Sequence, residues 1–397
     1  MKYFEYNYLI ILYIFLTSCS NSELNEDYFN LNFKALAELY EPLDTIPLSD
    51  SIYYFNYDIN IDRISENKIT AAQFPNLSIY MLDSLGEVRE KITQSGSALG
   101  MLGLTNFAMT SIDDTGNIYV LTSGFTYRVF VFNSNNEFIK VFNLFDYISE
   151  SLVFPVNSSF MVIENGNEHV RLVISVDSNV HSRFSDKLFS EAESLVYFTI
   201  DKNTWEIIDY DSRLPFKNLS EIQDALQVRK VHWSENQPLF DFSDNKYFVA
   251  YPFSKYVRVY DNNFIKLDSI EFNTLSKIPL VNFESEMKKI DDAYKRNIVA
   301  LRLARENLKI QYIDVIDNFI LIQFSEISKK DNYSLPTIEE FGSPRDTSPA
   351  FLHAIVKNLT TGEEKFITLP PNFYKIYIKN WNTFYGYYSS KKEELML

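Results

Sequence analysis

The sequence predicts an all-β fold, a β-propeller most simply built of six four-stranded blades, with a helical insertion near residues 283–308. Two observations carry this prediction. A β-branched or aromatic run, a polar turn and a second alternating run recur together five times, and aromatic residues, which favour strands, make up 16% of the chain. The recurring pattern is typical of a β-hairpin, because Asp, Asn or Gly separates two strands of period 2. The five hairpins span residues 79–92, 129–140, 196–208, 257–266 and 352–367.

The repeated unit is larger than a hairpin, because two hairpins share the segment that precedes them. Residues 113–120 stand before the second hairpin and residues 243–249 before the fourth. The first two hairpins begin at 79 and 129, and a propeller blade needs about 40 to 50 residues. Sheets repeated in a ring protect their own edges, so many short strands can coexist without a parallel α/β pattern. A β-sandwich or a β-helix is the alternative, but a sandwich does not repeat a hairpin at this period.

The two ends of the chain supply strands for a sixth blade. Residues 374–378 and 383–388 have strand patterns with no hairpin after them, and residues 51–55 precede the first hairpin. A blade built from both chain ends would close the ring.

Cys19, the only cysteine, predicts a lipid anchor. It ends the run Leu16-Thr-Ser-Cys19 directly after the apolar residues 8–16, which is the pattern of a bacterial lipobox. The alternative is a free thiol beside a transmembrane helix, but this apolar run is about half the length that spans a bilayer. The sequence therefore divides into a signal peptide at 1–18, an acylated tether at 19–32 and a single propeller domain at 33–397. Once Cys19 is acylated, no thiol remains for disulfides or metal binding.

The lipobox, the polar tether 20–27 and the Gly-rich residues 95–103 before the 113–140 repeat resemble the six-bladed, TolB-like β-propeller lipoproteins of Bacteroidetes. That group includes families of unknown function. The resemblance implies a propeller fold and an outer-membrane lipid anchor, facing the periplasm or the cell surface. It assigns no activity.

Composition and motifs exclude several function classes. A net charge of −16 argues against nucleic acid as a partner. The four histidines are scattered, Gly96-Ser-Ala-Leu-Gly100 lacks the spacing of a hydrolase elbow, and Asp113-Asp-Thr-Gly-Asn117 is more typical of a tight turn than of a calcium loop. We therefore expect no metal, no cofactor and no catalytic residue, and a monomer.

Propeller topology predicts where a ligand would bind. Residues 177–193 and 328–350 would join the second and third strands of their blades. Residues 212–237 and the amphipathic helix 283–308 would connect successive blades, so all four would lie on one face. Short connections at that face carry aromatic and cationic residues. The predicted binding residues are Tyr127, Arg128, Arg183, Lys255, Tyr256, Arg296 and Arg302, and the alternative is that they are ordinary rim residues.

Two function classes remain open. The first is a lipid-anchored binding module for a glycan, a peptide or an envelope protein. The second is a propeller hydrolase or lyase, lactonase-type or glycan-cleaving, with carboxylates at the mouth of the central channel. Because no acidic pattern recurs visibly in the predicted inner strands, the sequence favours binding.

Overall fold

The computed structural model describes residues 62–65, 68–73, 78–82, 88–92, 107–123, 127–147, 159–176, 193–215, 238–252, 254–272, 309–326, 351–369, 373–381 and 383–388. These residues form 22 strands and one short 3₁₀ helix, Leu144–Asp146. The strands make five four-stranded antiparallel sheets and one two-stranded sheet. The predicted all-β propeller is confirmed. Among the described residues, no helix has the length and hydropathy needed to cross a lipid bilayer.

Each four-stranded sheet contains four consecutive strands paired in chain order, which is the topology of a propeller blade. Blade 1 contains β1 (Asp62–Ser65), β2 (Lys68–Gln73), β3 (Ser78–Leu82) and β4 (Val88–Ile92). Blade 2 contains β5 (Phe107–Ile112), β6 (Ile118–Ser123), β7 (Arg128–Phe132) and β8 (Phe138–Asn143). Blade 3 contains β9 (Phe160–Glu164), β10 (His169–Ser175), β11 (Glu193–Asp201) and β12 (Glu206–Pro215).

Blade 4 contains β13 (Leu239–Ser243), β14 (Lys246–Ala250), β15 (Tyr256–Tyr260) and β16 (Lys266–Glu271). Blade 5 contains β17 (Lys309–Ile316), β18 (Phe319–Glu326), β19 (Phe351–Asn358) and β20 (Glu364–Thr368). The two-stranded sheet contains β21 (Phe373–Asn380) and β22 (Thr383–Tyr388). The five predicted hairpins are the third and fourth strands of blades 1 to 5.

In blades 2 to 5, the turn between the third and fourth strands is closed by an Asp or Asn side chain at its first position. Asp261 Oδ1 accepts hydrogen bonds from the amides of Asn263 and Ile265, at 2.9 and 2.8 Å. Asn133 accepts from the same two turn positions in blade 2, and Asp201 and Asn358 accept from the amides two and three residues later in blades 3 and 5. Toward its end, each of these turns has a residue of left-handed φ, namely Asn136, Trp205, Phe264 or Gly362. This turn chemistry is local, so it can be recognised in the sequence.

In the described part of the chain, a separate apolar core fills each junction between consecutive blades from blade 1 to blade 5. Between blades 2 and 3, Tyr119 and Val131 pack with Leu172 and Phe198, all of them buried. Equivalent clusters join blade 1 to 2, blade 3 to 4 and blade 4 to 5. Middle strands are therefore buried on both sides, which explains their near-continuous apolar runs. The first strands also contact each other between blades 1 and 2, blades 2 and 3, and blades 4 and 5, so we call the first strands inner strands and the fourth strands outer strands.

The two-stranded sheet is the start of a sixth blade. Ile376 and Ile378 of β21 join a core cluster with Leu321 and Val356 of blade 5, and β21 contacts the inner strand β17. Strand β21 is therefore the inner strand of blade 6. Residues 51–55, which are predicted to complete this blade, lie outside the described residues, as do the tether and the predicted helix 283–308. Closure of the ring stays a prediction.

Candidate functional site

The connections at the two ends of the blades differ in length. At one end, here called the turn face, short turns such as 113–117 and 133–137 join the first strand to the second and the third to the fourth. At the other end, here called the long-connection face, the second strand leads to the third and the fourth leads to the next blade. The connections through 177–192, 216–237, 273–308 and 327–350 are all of this second kind.

Two of the predicted connections are shorter than the sequence suggests. Glu193 already belongs to β11, and β12 continues to Pro215, so the residues from Ser212 onward are partly strand. Both strands gain length because they pair with each other from Glu193–Pro215 to Asp201–Glu206. The predicted site residues Arg183, Arg296 and Arg302 lie outside the described residues, and their roles stay predictions.

Tyr127 and Arg128 enter β7 at the long-connection face. Tyr127 packs against the core between blades 2 and 3, and its carbonyl accepts a hydrogen bond from the amide of Leu144 at 3.0 Å. Arg128 is exposed beside it. The tyrosine therefore has a structural anchor, whereas the guanidinium is open to solvent.

Lys255 and Tyr256 occupy the equivalent position before β15. The carbonyl of Lys255 accepts a hydrogen bond from the amide of Phe272 at 3.1 Å, as the carbonyl of Tyr127 does from the amide of Leu144. Its ammonium lies 5.0 Å from the centre of the Tyr256 ring and 2.8 Å from Glu271 Oε1. The hydrogen bond to Glu271 raises the pKa of Lys255. The order of aromatic and cation is thus reversed between blades 2 and 4, and the structure adds Glu271 to the site.

The inner strands of blades 4 and 5 do carry a recurring carboxylate, which the sequence analysis missed. Asp241 of β13 and Asp314 of β17 occupy equivalent registers, since each is paired with the third residue of the following strand. Asp241 Oδ2 accepts a hydrogen bond from the amide of Val315 at 2.6 Å. Asp314 Oδ2 accepts one from the amide of Ile378 at 2.7 Å.

These two carboxylates join neighbouring blades through the backbone of the next inner strand. Ser111 Oγ plays a similar part between blades 2 and 3, where it accepts a hydrogen bond from the amide of Val162 at 3.0 Å. An acid for hydrolysis would need an oxygen directed to the substrate. The arrangement of Asp241 and Asp314 is that of structural ties between blades.

The Asp113 segment forms the tight turn that the sequence favours over a calcium loop. Asp113 Oδ1 accepts hydrogen bonds from the amides of Thr115 and Asn117, at 3.0 and 2.9 Å. Its Oδ2 accepts one from the hydroxyl of Tyr119, whose pKa is raised by burial. Both carboxylate oxygens are therefore used within the turn. In the described part of the chain, no group of three His, Cys, Asp or Glu side chains is placed to hold a metal ion.

Comparison with known proteins finds likeness in fold. No protein-family model matches the chain, and no curated protein matches its sequence. An exported-protein candidate from Bacteroides fragilis is similar in structure over 83% of this chain and 74% of its own, with 12% identity and a TM-score of 0.43. A protein of unknown function from Bacteroides caccae matches over 77% and 78%, with 11% identity and a TM-score of 0.38. The Dos1 propeller matches over 76% and 55%, with 9% identity and a TM-score of 0.34.

Proposed function

We propose that this protein is a binding module that holds a glycan, a peptide or an envelope protein at its long-connection face. The observation that carries the proposal is the contrast between the two faces. On the turn face, turn residues such as Asp113 and Asp261 use their polar groups within the turns themselves. The long connections all depart from the opposite strand ends, and long loops on a rigid scaffold are where binding residues concentrate.

The described residues at these strand ends suit a ligand with apolar faces and anionic groups. Arg128 offers an exposed guanidinium, and Tyr256 offers an aromatic ring beside the ammonium of Lys255. Such groups stack on sugar or aromatic faces and pair with carboxylates or phosphates. The ties made by Asp241 and Asp314 favour binding over hydrolysis, because one oxygen of each carboxylate already accepts a hydrogen bond from the backbone of the next blade.

Photochemical cross-linking in cells tests the choice of face. A photoreactive amino acid is placed at position 128 or 256, and the matched controls carry it at the exposed turn-face positions 135 or 203. We expect cross-linked glycan or protein products from positions 128 and 256 and none from the two controls. Products from the turn-face positions, or none from 128 and 256, would contradict the proposal.

We also propose that the module works at the outer membrane on a lipid attached to Cys19, as the lipobox and the short apolar run before it indicate. Replacing Cys19 with Ala is expected to move the protein out of the membrane fraction and to abolish incorporation of labelled palmitate. The matched control, Ser18→Ala, keeps the cysteine and a small residue before it, so it should stay membrane-bound. A Cys19→Ala protein that still sediments with membranes would refute the anchor.

A further inference from the structure

The outer strands of blades 1 to 4 share an irregularity that blade 5 lacks. In each of the four, the register with the third strand slips by one residue, which leaves an extra residue in the outer strand. The extra residues are Arg89, Ile139, Ile208 and Leu267. In blade 5, the register runs without a slip from His353–Thr368 to Lys357–Glu364. Bulges bend an edge and hinder another strand from pairing with it, so β20 has the flatter edge.

Two of the bulged edges are also capped by their own side chains. In blade 4, the amide of Phe272 donates to the carbonyl of Lys255, so every second pair from there is hydrogen-bonded between β15 and β16. Ser269 lies between two such pairs, and its amide therefore points away from β15. Asp268 Oδ1 accepts this amide at 2.7 Å. In blade 3, the outward amide of Ser212 is accepted by Asp211 Oδ1 at 2.8 Å. These carboxylates occupy donors that an added strand would need.

The same alternation identifies the outward groups of β20. The amide of Leu369 donates to the carbonyl of Leu352 at 2.9 Å. Every second residue of β20 counted back from Leu369, namely Ile367 and Lys365, is therefore hydrogen-bonded to β19. Phe366 and Thr368 lie between those pairs and direct their backbone N–H and C=O away from the sheet. Among the described residues, the Phe366 amide has no side-chain cap of the kind seen at Ser212 and Ser269.

An aromatic side chain marks the middle of this edge. Phe366 is 42% exposed, and its ring centre lies 5.1 Å from that of His353 and 6.2 Å from that of Phe324. Burial lowers the pKa of His353 to about 4, so this ring is uncharged at neutral pH. The ring of Phe366 is therefore held on the blade by uncharged rings while one side stays open.

We propose that the outer edge of blade 5 binds an extended segment of a partner protein as an additional β-strand. Only an extended backbone offers donors and acceptors at the two-residue spacing of Phe366 and Thr368. The segment places an aromatic or β-branched residue opposite Phe366, because such cross-strand pairs stabilise a sheet. The partner segment is neutral or basic, because this chain carries a net charge of −16. A second copy of the chain would carry the same negative charge and would be repelled.

The test uses a synthetic peptide of about ten residues in which Val and Tyr alternate with Thr and Lys. Its binding to the mature chain is measured by fluorescence anisotropy. Phe366→Pro removes the outward N–H without breaking a bond to β19, because proline is tolerated on an edge strand at such a position. Ser269→Pro is the matched control on the capped, bulged edge of blade 4. We expect Phe366→Pro to weaken binding by about tenfold or more, and Ser269→Pro to leave it unchanged.

Methylation of the peptide backbone separates strand addition from nonspecific adhesion. Because an added strand uses one of its edges, N-methyl groups on one alternating set of residues should abolish binding, and those on the other set should not. Circular dichroism checks that each variant folds. If Phe366→Pro does not fold, Phe366→Lys replaces it, because lysine keeps the backbone amide. We expect Phe366→Lys to weaken binding as well, through loss of the aromatic pair.

Three outcomes would overturn the proposal. The first is that the wild-type chain does not bind the peptide, and the second is that both methylated peptides bind equally. The third is that the wild-type chain forms a dimer in sedimentation that Phe366→Pro dissociates and Ser269→Pro does not, because the edge would then serve a second copy.

Discussion

A chain ending at Pro371 is expected to lose its stability throughout, with a lower melting temperature and a broader transition for blades 1 to 5. The missing strands β21 and β22 cover the side of blade 5 that faces blade 6. Their removal exposes the apolar cluster around Leu321, Val356 and Ile367. It also removes the amides of Ile378 and Ile376, which donate to Asp314 and Gln323 at 2.7 and 3.1 Å, so each of these side chains loses one hydrogen bond.

The loss should spread because the junctions are coupled in series. Blade 5 packs against blade 4 on one side and against β21 on the other. Because a repeated unit contacts only its immediate neighbours, its stability depends on the interface with each of them. If residues 51–55 complete blade 6, the truncation also opens the ring. Thermal unfolding followed by circular dichroism and intrinsic fluorescence measures this. A chain ending at Tyr388 keeps both strands and is the control, and a Pro371 chain that melted like this control would contradict ring closure.

The hairpins could be predicted from sequence because their determinants are local. Asp261 and the left-handed Phe264 are three residues apart, and the apolar alternation on either side fixes the strands. The same holds for the Asp113 turn, in which three residues donate five hydrogen bonds to the carboxylate and the furthest of them, Tyr119, is six residues away. Hydrophobic alternation and turn chemistry together therefore identify the blades.

The ties between blades could not be predicted in the same way, because their partners are distant in the chain. Asp241 bonds to a backbone amide 74 residues later, and Asp314 to one 64 residues later. Every residue except proline has a backbone amide, so the sequence does not show which amide a carboxylate will bind. Only the acidic residue itself can be recognised. Phe240-Asp-Phe242 and Ile313-Asp-Val315 do share an acid between apolar residues just before a short turn. That shared pattern is the one local signal in the sequence that distinguishes these two acids.

The sequence predicts some residues of the candidate site but not their partners, because the partners are again distant in the chain. Strand period predicts which residues stand at the ends of β7 and β15, so Tyr127, Arg128, Lys255 and Tyr256 could be named. The partner of Lys255, Glu271, lies 16 residues further on at the end of β16, and the bulge at Leu267 shifts the register between them. A one-residue slip reverses which side of a strand a residue faces, so such a pair is not readable from alternation alone.

Asp241→Ala is expected to destabilise the protein by about 1–3 kcal/mol, because it leaves the buried amide of Val315 without an acceptor. Asp241 is only 5% exposed, so water cannot easily replace the lost carboxylate. Asp241→Asn keeps an acceptor oxygen at nearly the same place and should cost less. The equivalent Asp314→Ala variant removes the tie between blades 5 and 6. Because Asp314 directly precedes Val315, whose amide donates to Asp241, the two ties are adjacent, and the cost of the double variant should differ from the sum of the two single costs.

Urea denaturation of the single and double variants measures these costs. Asp268→Ala is the matched control, because Asp268 also accepts a backbone amide, that of Ser269, but does so on an exposed outer strand where water can take its place. If the inner carboxylates are ties, Asp241→Ala must cost clearly more than Asp268→Ala. Equal costs would show that the Val315 amide finds another acceptor, and Asp241 would then again be a candidate for chemistry in the centre of the ring.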